Sequence, residues 1–489
     1  MASELRTLGR HTLVYGAGEA VGRLASFIML PVYTRFLAPA DYGVLELMGT
    51  TIDVVGMIAG MGLAAGVFKE FARITDRGER DRMVSTVTLA TGTLSLMTAL
   101  LGLLAAPLLS RWVLAGAGAP VFVRVFFVIY FLQSLTGIPF LLVRAEERSL
   151  LYVWLNVGKL VASLSLNILF LVYLRMGVMG VLLGNVIVSG VLGVGMAAWT
   201  LRRVGFHFSP DAFRRLSRFG GPIVVWSLAS FVLTFSDRYF LVHWADAATV
   251  GLYSLAYKFS FLLSAFAFTP FSQVWEPRRF IVAQRPDAQA VFGRVFFYLN
   301  ACLGIGALGL VLFTRDVLAV MADPAYLPAA AVVPLLLGAT VFQQWTAFCN
   351  LGLYLKEKTG LYARAGLVGV AAVTVLNFAL IPRWGMWGAA WATLAAYAIR
   401  FAAVYVVAQR AYPIEYGWGR VSRLLGVVAA AAGVRMALPG VTGAPSFALS
   451  CGLLAAALIA VYAWTLSGED RAMLRGFVRR PIAVLSPAA

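Results

Sequence analysis

The sequence predicts an all-α polytopic membrane protein with about 14 transmembrane helices, arranged as two parallel six-helix repeats followed by two C-terminal helices. Three observations predict this class. The 489-residue chain is 61% hydrophobic and only 13% charged, whereas a soluble globular chain is about 45–50% apolar and about 25% charged. Apolar stretches of membrane-spanning length recur from end to end, and polar residues repeat at a constant offset.

The apolar stretches define the individual helices. A transmembrane helix needs about 20 mostly apolar residues, and fourteen stretches meet this requirement. They lie at 11–34, 42–68, 83–106, 120–143, 150–174, 177–200, 219–243, 250–275, 292–314, 327–351, 360–381, 386–408, 421–439 and 446–466.

Basic residues predict the orientation of these helices. With the N-terminus in the cytoplasm, inside segments hold 27 of the 40 Lys and Arg residues and outside loops hold five. Lys and Arg accumulate on the cytoplasmic side of membrane proteins. We therefore expect both termini to be cytoplasmic, and we attribute the net charge of +18 to membrane topology rather than to nucleic-acid binding.

Several chemistries are not supported by the sequence. The three cysteines lie in apolar stretches, and the three histidines are far apart, so no metal site or disulfide framework is predicted. No Gly-x-x-x-x-Gly-Lys-Ser/Thr loop is present to bind ATP. Because every loop is too short to fold as a domain, we expect a non-enzyme without a cofactor, driven by a proton gradient, a sodium gradient, the membrane potential or the substrate gradient.

An internal repeat divides the chain into lobes. Polar residues in equivalent loops match at an offset of 210, and the match continues after a two-residue deletion at an offset of 208. We predict an N-terminal lobe at 1–208, a C-terminal lobe at 209–418, and two extra helices with a basic cytoplasmic tail at 419–489. The matching pairs include Gln133/Gln343, Glu147/Glu357, Asn167/Asn377, Arg175/Arg383 and Gly43/Gly251.

Repeats of six helices are typical of alternating-access transporters, whose substrate site lies between the repeats near the middle of the membrane. Charged residues within transmembrane helices mark the substrate pathway by default, because they are costly in lipid. In the first two predicted helices, Glu19 and Arg23 lie on one polar face and Asp53 on another. Glu19 and Arg23 either belong to this pathway or simply neutralise one another across one helical turn.

Later helices add further charges. Lys159 lies on a polar stripe of the fifth predicted helix, and Arg400 lies on a polar face of the twelfth. Asp237 and Arg238 lie within the seventh predicted helix, and Lys258 lies at similar depth in the eighth. Asp237 is either a structural partner of Lys258 or part of a gate that opens on protonation.

The sign of the buried charge predicts the substrate class. Arg23, Lys159, Arg238, Lys258 and Arg400 are the candidate substrate-binding residues, and Glu19, Asp53 and Asp237 are the candidates for coupling or gating. A cavity with excess positive charge in a low dielectric favours an anion. A drug-cation exporter would be expected to have the opposite sign.

Several segments match a known family. Residues 15–37, followed by Ala-Pro-Ala-Asp-Tyr-Gly at 38–43, resemble the first hairpin of the lipid-linked oligosaccharide flippases, the polysaccharide-transporter branch of the multidrug/oligosaccharidyl-lipid/polysaccharide exporter superfamily. Ser-Asp-Arg-Tyr-Phe-Leu at 236–241 and the segment 250–258 are similar to the matching hairpin of the second lobe. Residues 381–393 are similar to the family's turn between helices 11 and 12.

This resemblance implies a V-shaped pair of lobes that moves undecaprenyl-diphosphate-linked oligosaccharides to the outer leaflet of the bacterial inner membrane, for cell-surface polysaccharide biosynthesis. The implied partners are the polyprenyl-diphosphate-linked glycan, the lipid bilayer, and the glycosyltransferases and polymerase of the same pathway. A multidrug exporter or a lipid II flippase of the same superfamily remains an alternative. A membrane-bound polymerase or an assembly factor that transports nothing is a more distant one.

Overall fold

A computed structural model describes residues 29–438 and 443–471, and within these ranges the chain is helical and contains no strand. The α-helices are α1 (Leu30–Phe36), α2 (Pro39–Ala59), α3 (Leu63–Arg73), α4 (Arg77–Trp112), α5 (Pro120–Ala145), α6 (Ser149–Ile168), α7 (Gly177–Val204), α8 (Pro210–Trp244), α9 (Ala247–Leu263), α10 (Thr269–Val282), α11 (Ala288–Met321), α12 (Val333–Cys349), α13 (Leu351–Leu355), α14 (Thr359–Ala411), α15 (Trp418–Ala437) and α16 (Ala444–Trp464).

The described part of the chain contains 11 helical segments long and apolar enough to cross a membrane. One of them, α14, has 53 residues and corresponds to two predicted helices. The two parts meet at a kink, where Gly385 has non-helical backbone angles. The helix predicted at 421–439 is present as α15, and most of the helix predicted at 11–34 lies outside the described residues. The all-α membrane class with about 14 spans is thus confirmed.

The structure interrupts some helices that the sequence predicts as continuous. The stretch 42–68 is divided into α2 and α3, because Met61 and Gly62 adopt positive φ angles of 46° and 64°. A left-handed conformation cannot continue an α-helix. Two π-helical segments, Leu169–Tyr173 and Ser264–Phe268, extend α6 and α9, and a 3-10 helix, Pro324–Val332, leads into α12.

The chain forms two compact units. Unit 1 contains residues 1–255, 321–329 and 369–396, and unit 2 contains residues 256–320, 330–368 and 397–489. The division of the sequence into lobes at 1–208 and 209–418 remains a prediction about the repeat.

Glycines bring helices of unit 1 into backbone contact. A Cβ atom on Gly43 of α2 would lie 1.9 Å from the carbonyl oxygen of Ala247, and a Cβ atom on Gly251 of α9 would lie 2.1 Å from the carbonyl oxygen of Pro39. No side chain fits at such distances, so the two helices touch where each has a glycine. Gly43 and Gly251 are also one of the matching pairs of the predicted repeat.

Unit 2 has a core of packed aromatic rings. Trp275 and Phe348 stack with ring centroids 5.6 Å apart, and Phe296 packs against Trp418 at 5.2 Å. Trp345 also donates a hydrogen bond to Asn300 at 2.6 Å. The contact between Phe296 and Trp418 joins α15 to α11. Aromatic pairs add about 0.5–1.5 kcal/mol each beyond the area they bury.

Candidate functional site

Lys159 lies on the less exposed face of α6. Leu151, Trp154 and Val161, which lie on another face of this helix, are exposed, and Trp154 has 72% of its surface accessible. Lys159 itself is half-buried, and within the described residues it makes no hydrogen bond and no ion pair. An ammonium group in this position can receive an anionic ligand.

The polar stripe around Lys159 is held in place by local hydrogen bonds. Asn156 donates to the carbonyl oxygen of Tyr152 at 2.8 Å. Asn167 is buried and donates to the hydroxyl of Tyr33 at 2.9 Å. The bond of Asn167 joins α6 to α1, whereas the bond of Asn156 lies within α6. Helical spacing places Asn156 and Asn167 on the same face as Lys159.

Asp53 opens into a cavity of unit 1 that is lined by both polar and apolar residues. The cavity has a volume of about 400 Å³, and its lining includes Thr91, Tyr130, Gln133 and Ser134. Asp53 is exposed to this space and makes no hydrogen bond or ion pair with another described residue. A carboxylate in a water-accessible cavity lined by hydroxyl and amide groups can hold a proton or a monovalent cation.

Asp237 and Arg238 form a buried ion pair in α8. The guanidinium Nη1 of Arg238 lies 3.0 Å from Oδ1 of Asp237, and the two residues are only 1% and 2% exposed. The other carboxylate oxygen of Asp237 accepts hydrogen bonds from the hydroxyls of Tyr253 at 2.6 Å and Thr393 at 3.3 Å.

These contacts give the Asp237 carboxylate partners from three helices: α8, α9 and α14. Arg238 also donates to the carbonyl oxygen of Thr234 at 3.2 Å, and its guanidinium lies 4.9 Å from the ring centre of Phe235. A buried charge pair with this many partners ties helices together. In the conformation described, the pair is enclosed by protein rather than open to a ligand.

The remaining candidate residues lie elsewhere. Lys258 and Arg400 belong to unit 2, and both are half-buried. The Nε atom of Arg400 is buried and has no hydrogen-bond partner. Glu19 and Arg23 lie outside the described residues.

Among the candidates that the structure describes, Asp237 and Arg238 are in direct contact. Their pairing removes one cation and one anion from the predicted charge sum. The excess of positive charge along the substrate pathway stays a prediction.

Sequence reasoning did not assign Tyr253 and Thr393 to Asp237, and it offered Lys258 as a partner instead. Adjacent helical residues point in different directions, so the spacing gave no reason to expect that Arg238 would reach back to Asp237. The sequence indicated Gln133 only as a member of the matching pair Gln133/Gln343, and the structure places it in the lining of the cavity. A polar side chain within an apolar helix was the feature that could have marked it as a cavity residue.

The comparisons with known proteins agree with this architecture. The model of a family described as "Polysaccharide biosynthesis protein" matches residues 8–280, more than half of the chain. A search of curated proteins finds no match.

Solved structures show the same fold at low sequence identity. The lipid II flippase MurJ in an inward closed conformation superposes with a TM-score of 0.74 and 11% identity, over 92% of this chain and 99% of that one. An inward-facing multidrug resistance MATE transporter of the MOP superfamily gives a TM-score of 0.64 and 13% identity, over 79% and 94%. A MOP superfamily transporter from Pyrococcus furiosus, noted for the reverse polarity of its binding pocket, gives 0.55 and 14%, over 83% and 95%.

The family match, the helical membrane architecture and these superpositions lead to one conclusion. The chain belongs to the polysaccharide biosynthesis protein family, and it shares its fold with the flippase MurJ and with MATE transporters.

Proposed function

We propose that the protein flips undecaprenyl-diphosphate-linked oligosaccharides from the cytoplasmic to the outer leaflet by alternating access. The observation that carries this proposal is Lys159, a half-buried cation on a transmembrane helix with no anionic partner among the described residues. Family membership supports the substrate class, since polysaccharide biosynthesis needs its lipid-linked units on the far side of the membrane.

The chemistry of the substrate fits the buried charges. The diphosphate accepts charge-assisted hydrogen bonds from Lys159, and from Arg23, Lys258 and Arg400 as the lobes move, while the polyprenyl tail stays in lipid. Arg238 joins this set only if the ion pair with Asp237 opens during the cycle.

The membrane potential supplies a driving force. Both termini face the cytoplasm in this proposal, so the substrate moves outward across an inside-negative bacterial inner membrane. Transfer of about two negative charges across the full potential is downhill by about 4.6 kcal/mol per 100 mV. Proton or sodium exchange at Asp53 is a second energy source, supported by the cavity that Asp53 faces.

The glycan-bearing substrate implies working partners. Glycosyltransferases build the lipid-linked unit on the cytoplasmic side, and a polymerase or ligase consumes it outside. The protein itself performs transport and no bond chemistry, which agrees with the family and the fold.

A binding measurement with purified protein tests the substrate class. We expect undecaprenyl-diphosphate oligosaccharide to bind wild type and Lys159→Arg, and to bind Lys159→Gln about 10 to 100 times more weakly, because a charge-assisted hydrogen bond contributes about 1.5–3 kcal/mol. Lys356→Gln, at an exposed lysine, is the matched control and should bind like wild type.

A multidrug exporter is the first alternative. Tight binding of an organic cation, with no binding of the diphosphate lipid and no effect of Lys159→Gln, would overturn the proposal in its favour.

A lipid II flippase is the second alternative, and the superposition on MurJ favours it specifically. Lipid II carries the same diphosphate, so Lys159 would bind both substrates in the same way. Competition between lipid II and a polysaccharide precursor for the same site separates the two, and exclusive binding of lipid II would replace the proposed substrate.

A further inference from the structure

A basic pocket lies where α3 packs beside the first turns of α8. Its volume is about 390 Å³, and Lys69, Arg215 and Arg218 contribute to its lining. We propose that this pocket is a second anion site, separate from Lys159, that binds the phosphate of a lipid headgroup at the membrane surface.

A close approach of two backbones builds the pocket. A Cβ atom on Gly62 would lie 2.6 Å from the carbonyl oxygen of Gly220, and a Cβ atom on Gly220 would lie 2.5 Å from the carbonyl oxygen of Gly62. The two segments therefore touch beside the pocket. Gly66, one turn further along α3, also lines the pocket, and a Cβ atom there would lie 2.6 Å from a methyl group of Leu216.

The acidic groups near the pocket form long ion pairs with Arg215 and leave its hydrogen-bond donors unused. Glu70 is the acidic lining residue, but Arg73 holds its carboxylate with hydrogen bonds of 2.8 and 3.2 Å. Arg215 approaches the same carboxylate only to 4.0 Å, and that of Glu79 only to 3.9 Å. Both distances are too long for a hydrogen bond, so the donors of Arg215 can still bind a phosphate.

The two other cations of the pocket are also available. Arg218 is exposed and makes no hydrogen bond or ion pair with the rest of the described chain. The ammonium of Lys69 lies over the ring of Phe219, 4.5 Å from its centre. This cation–π contact positions the ammonium against the pocket wall without neutralising its charge.

The chemistry of the pocket selects a phosphate attached to an apolar chain. Two guanidinium groups and an ammonium bind phosphate oxygens well. Phe219 is 40% exposed and Leu216 is buried, so the cations adjoin an apolar wall. The pocket also lies at the start of the membrane-spanning segment Pro210–Trp244, where headgroup phosphates are located.

Native mass spectrometry of the full-length protein can test this site. Wild type, Arg215→Gln/Arg218→Gln and Arg214→Gln are titrated with phosphatidylglycerol, undecaprenyl diphosphate and inorganic pyrophosphate. Arg214 is the matched control, because it is an exposed arginine on the same turn that does not line the pocket. We expect the double variant to lose at least about tenfold in lipid affinity, and Arg214→Gln to bind like wild type.

The ligands separate the two sources of a lipid phosphate. If the double variant binds both lipids more weakly, the pocket is a general headgroup site. If it binds only undecaprenyl diphosphate more weakly, the pocket is an entry site for the carrier lipid. Equal losses in Arg214→Gln and the double variant would show surface attraction only and overturn the proposal. Inorganic pyrophosphate that binds as tightly as the lipids would overturn the assignment to a lipid. Phosphatidylglycerol binding stands or falls independently of flipping.

Discussion

At the scale of residues, Asp237 and Arg238 are buried and hydrogen-bonded to each other. Tyr253 and Thr393 also donate hydrogen bonds to Asp237. Removing one partner of a buried pair leaves an uncompensated charge, which costs about 3–5 kcal/mol. Removing both partners costs less than the sum of the single changes, because no unpaired charge is left.

The first prediction concerns how much this ion pair contributes to the stability of the protein. We expect Asp237→Asn and Arg238→Gln each to destabilise the protein by about 3–5 kcal/mol, and the double variant to lose less than their sum. Thermal unfolding in detergent measures the difference. Asp287→Asn is the control, because its pair with Arg285 is half-exposed and should contribute at most about 1 kcal/mol. Additive losses would mean that the two charges do not interact.

Asp53 leads to a prediction about energy coupling. If its cavity holds a coupling ion, Asp53→Asn should remove the response of transport to a proton or sodium gradient, while the response to membrane potential remains. Asp53→Glu should keep both responses, because it keeps the carboxylate. Flipping in liposomes with each gradient imposed separately measures this, and unchanged gradient dependence in Asp53→Asn would exclude Asp53 as the coupling site.

The sequence predicted the types of these residues better than their partners. The buried charges stood out because charges are rare in apolar helices, and their depth followed from helix length. The partners of Asp237 could not be predicted, because contacts with Thr393 depend on how helices distant in sequence are rotated and packed.

At the scale of helices, the contact between α2 and α9 depends on the absence of two side chains. Gly43 and Gly251 lie where the helix backbones touch, whereas Gly49 of α2 has nothing within 4 Å of an added Cβ atom. Alanine favours a helix by about 1 kcal/mol over glycine when space is available. The effect of a methyl group therefore depends on its position along the same helix.

This difference predicts opposite outcomes for one substitution. Gly43→Ala and Gly251→Ala should lower the unfolding temperature and weaken transport, since the helices must separate to admit the methyl group. Gly49→Ala should leave stability unchanged or raise it. Similar unfolding temperatures for Gly43→Ala and Gly49→Ala would contradict the close contact.

The chain after α16 is anchored by a buried carboxylate. Ser467 donates to Asp470 from its hydroxyl at 2.6 Å and from its backbone N–H at 2.9 Å, and Tyr298 and Arg420 also donate to it. Burial raises the pKa of Asp470, but these hydrogen bonds outweigh burial and hold the pKa well below its ordinary value of 3.8.

A group with a lowered pKa stabilises the fold above its unfolded pKa, and this contribution is lost as the pH falls through the folded pKa. Asp470→Asn should therefore be less stable than wild type by about 1–3 kcal/mol, with a constant difference from about pH 5 to about pH 8. Thermal unfolding across this range is the measurement. Glu469→Gln is the control, because Glu469 is 79% exposed. A difference that shrinks between these pH values would show that Asp470 is not ionised as described.

Helix positions were predicted well, because a continuous run of about 20 apolar residues is stable in few surroundings besides a lipid bilayer, where it must be helical. Breaks within helices were not predicted at Met61, nor were the π-helical segments, since these depend on local backbone geometry rather than on hydrophobicity. The turn near Gly385 was predicted, and the structure shows it as a bend within α14.

At the scale of the whole molecule, the basic residues predict how the chain is oriented in the membrane. With 27 of them in inside segments and five in outside loops, both termini are expected to face the cytoplasm. Cysteines placed at Arg77 and Arg111, both exposed, test it in a variant without native cysteines. A membrane-impermeant maleimide added to intact cells should label Arg111→Cys and not Arg77→Cys, and the reverse pattern would invert the topology.

In the predicted orientation, an inside-negative membrane potential would drive the proposed anionic lipid outward. The most direct test is the movement of a fluorescent undecaprenyl-diphosphate oligosaccharide across liposomes that contain the purified protein, under an imposed inside-negative potential. We predict that outward flipping increases with the potential and is lost in Lys159→Gln but not in Lys356→Gln. Absence of flipping by the wild type, together with efflux of organic cations from the same liposomes, would contradict the proposed function.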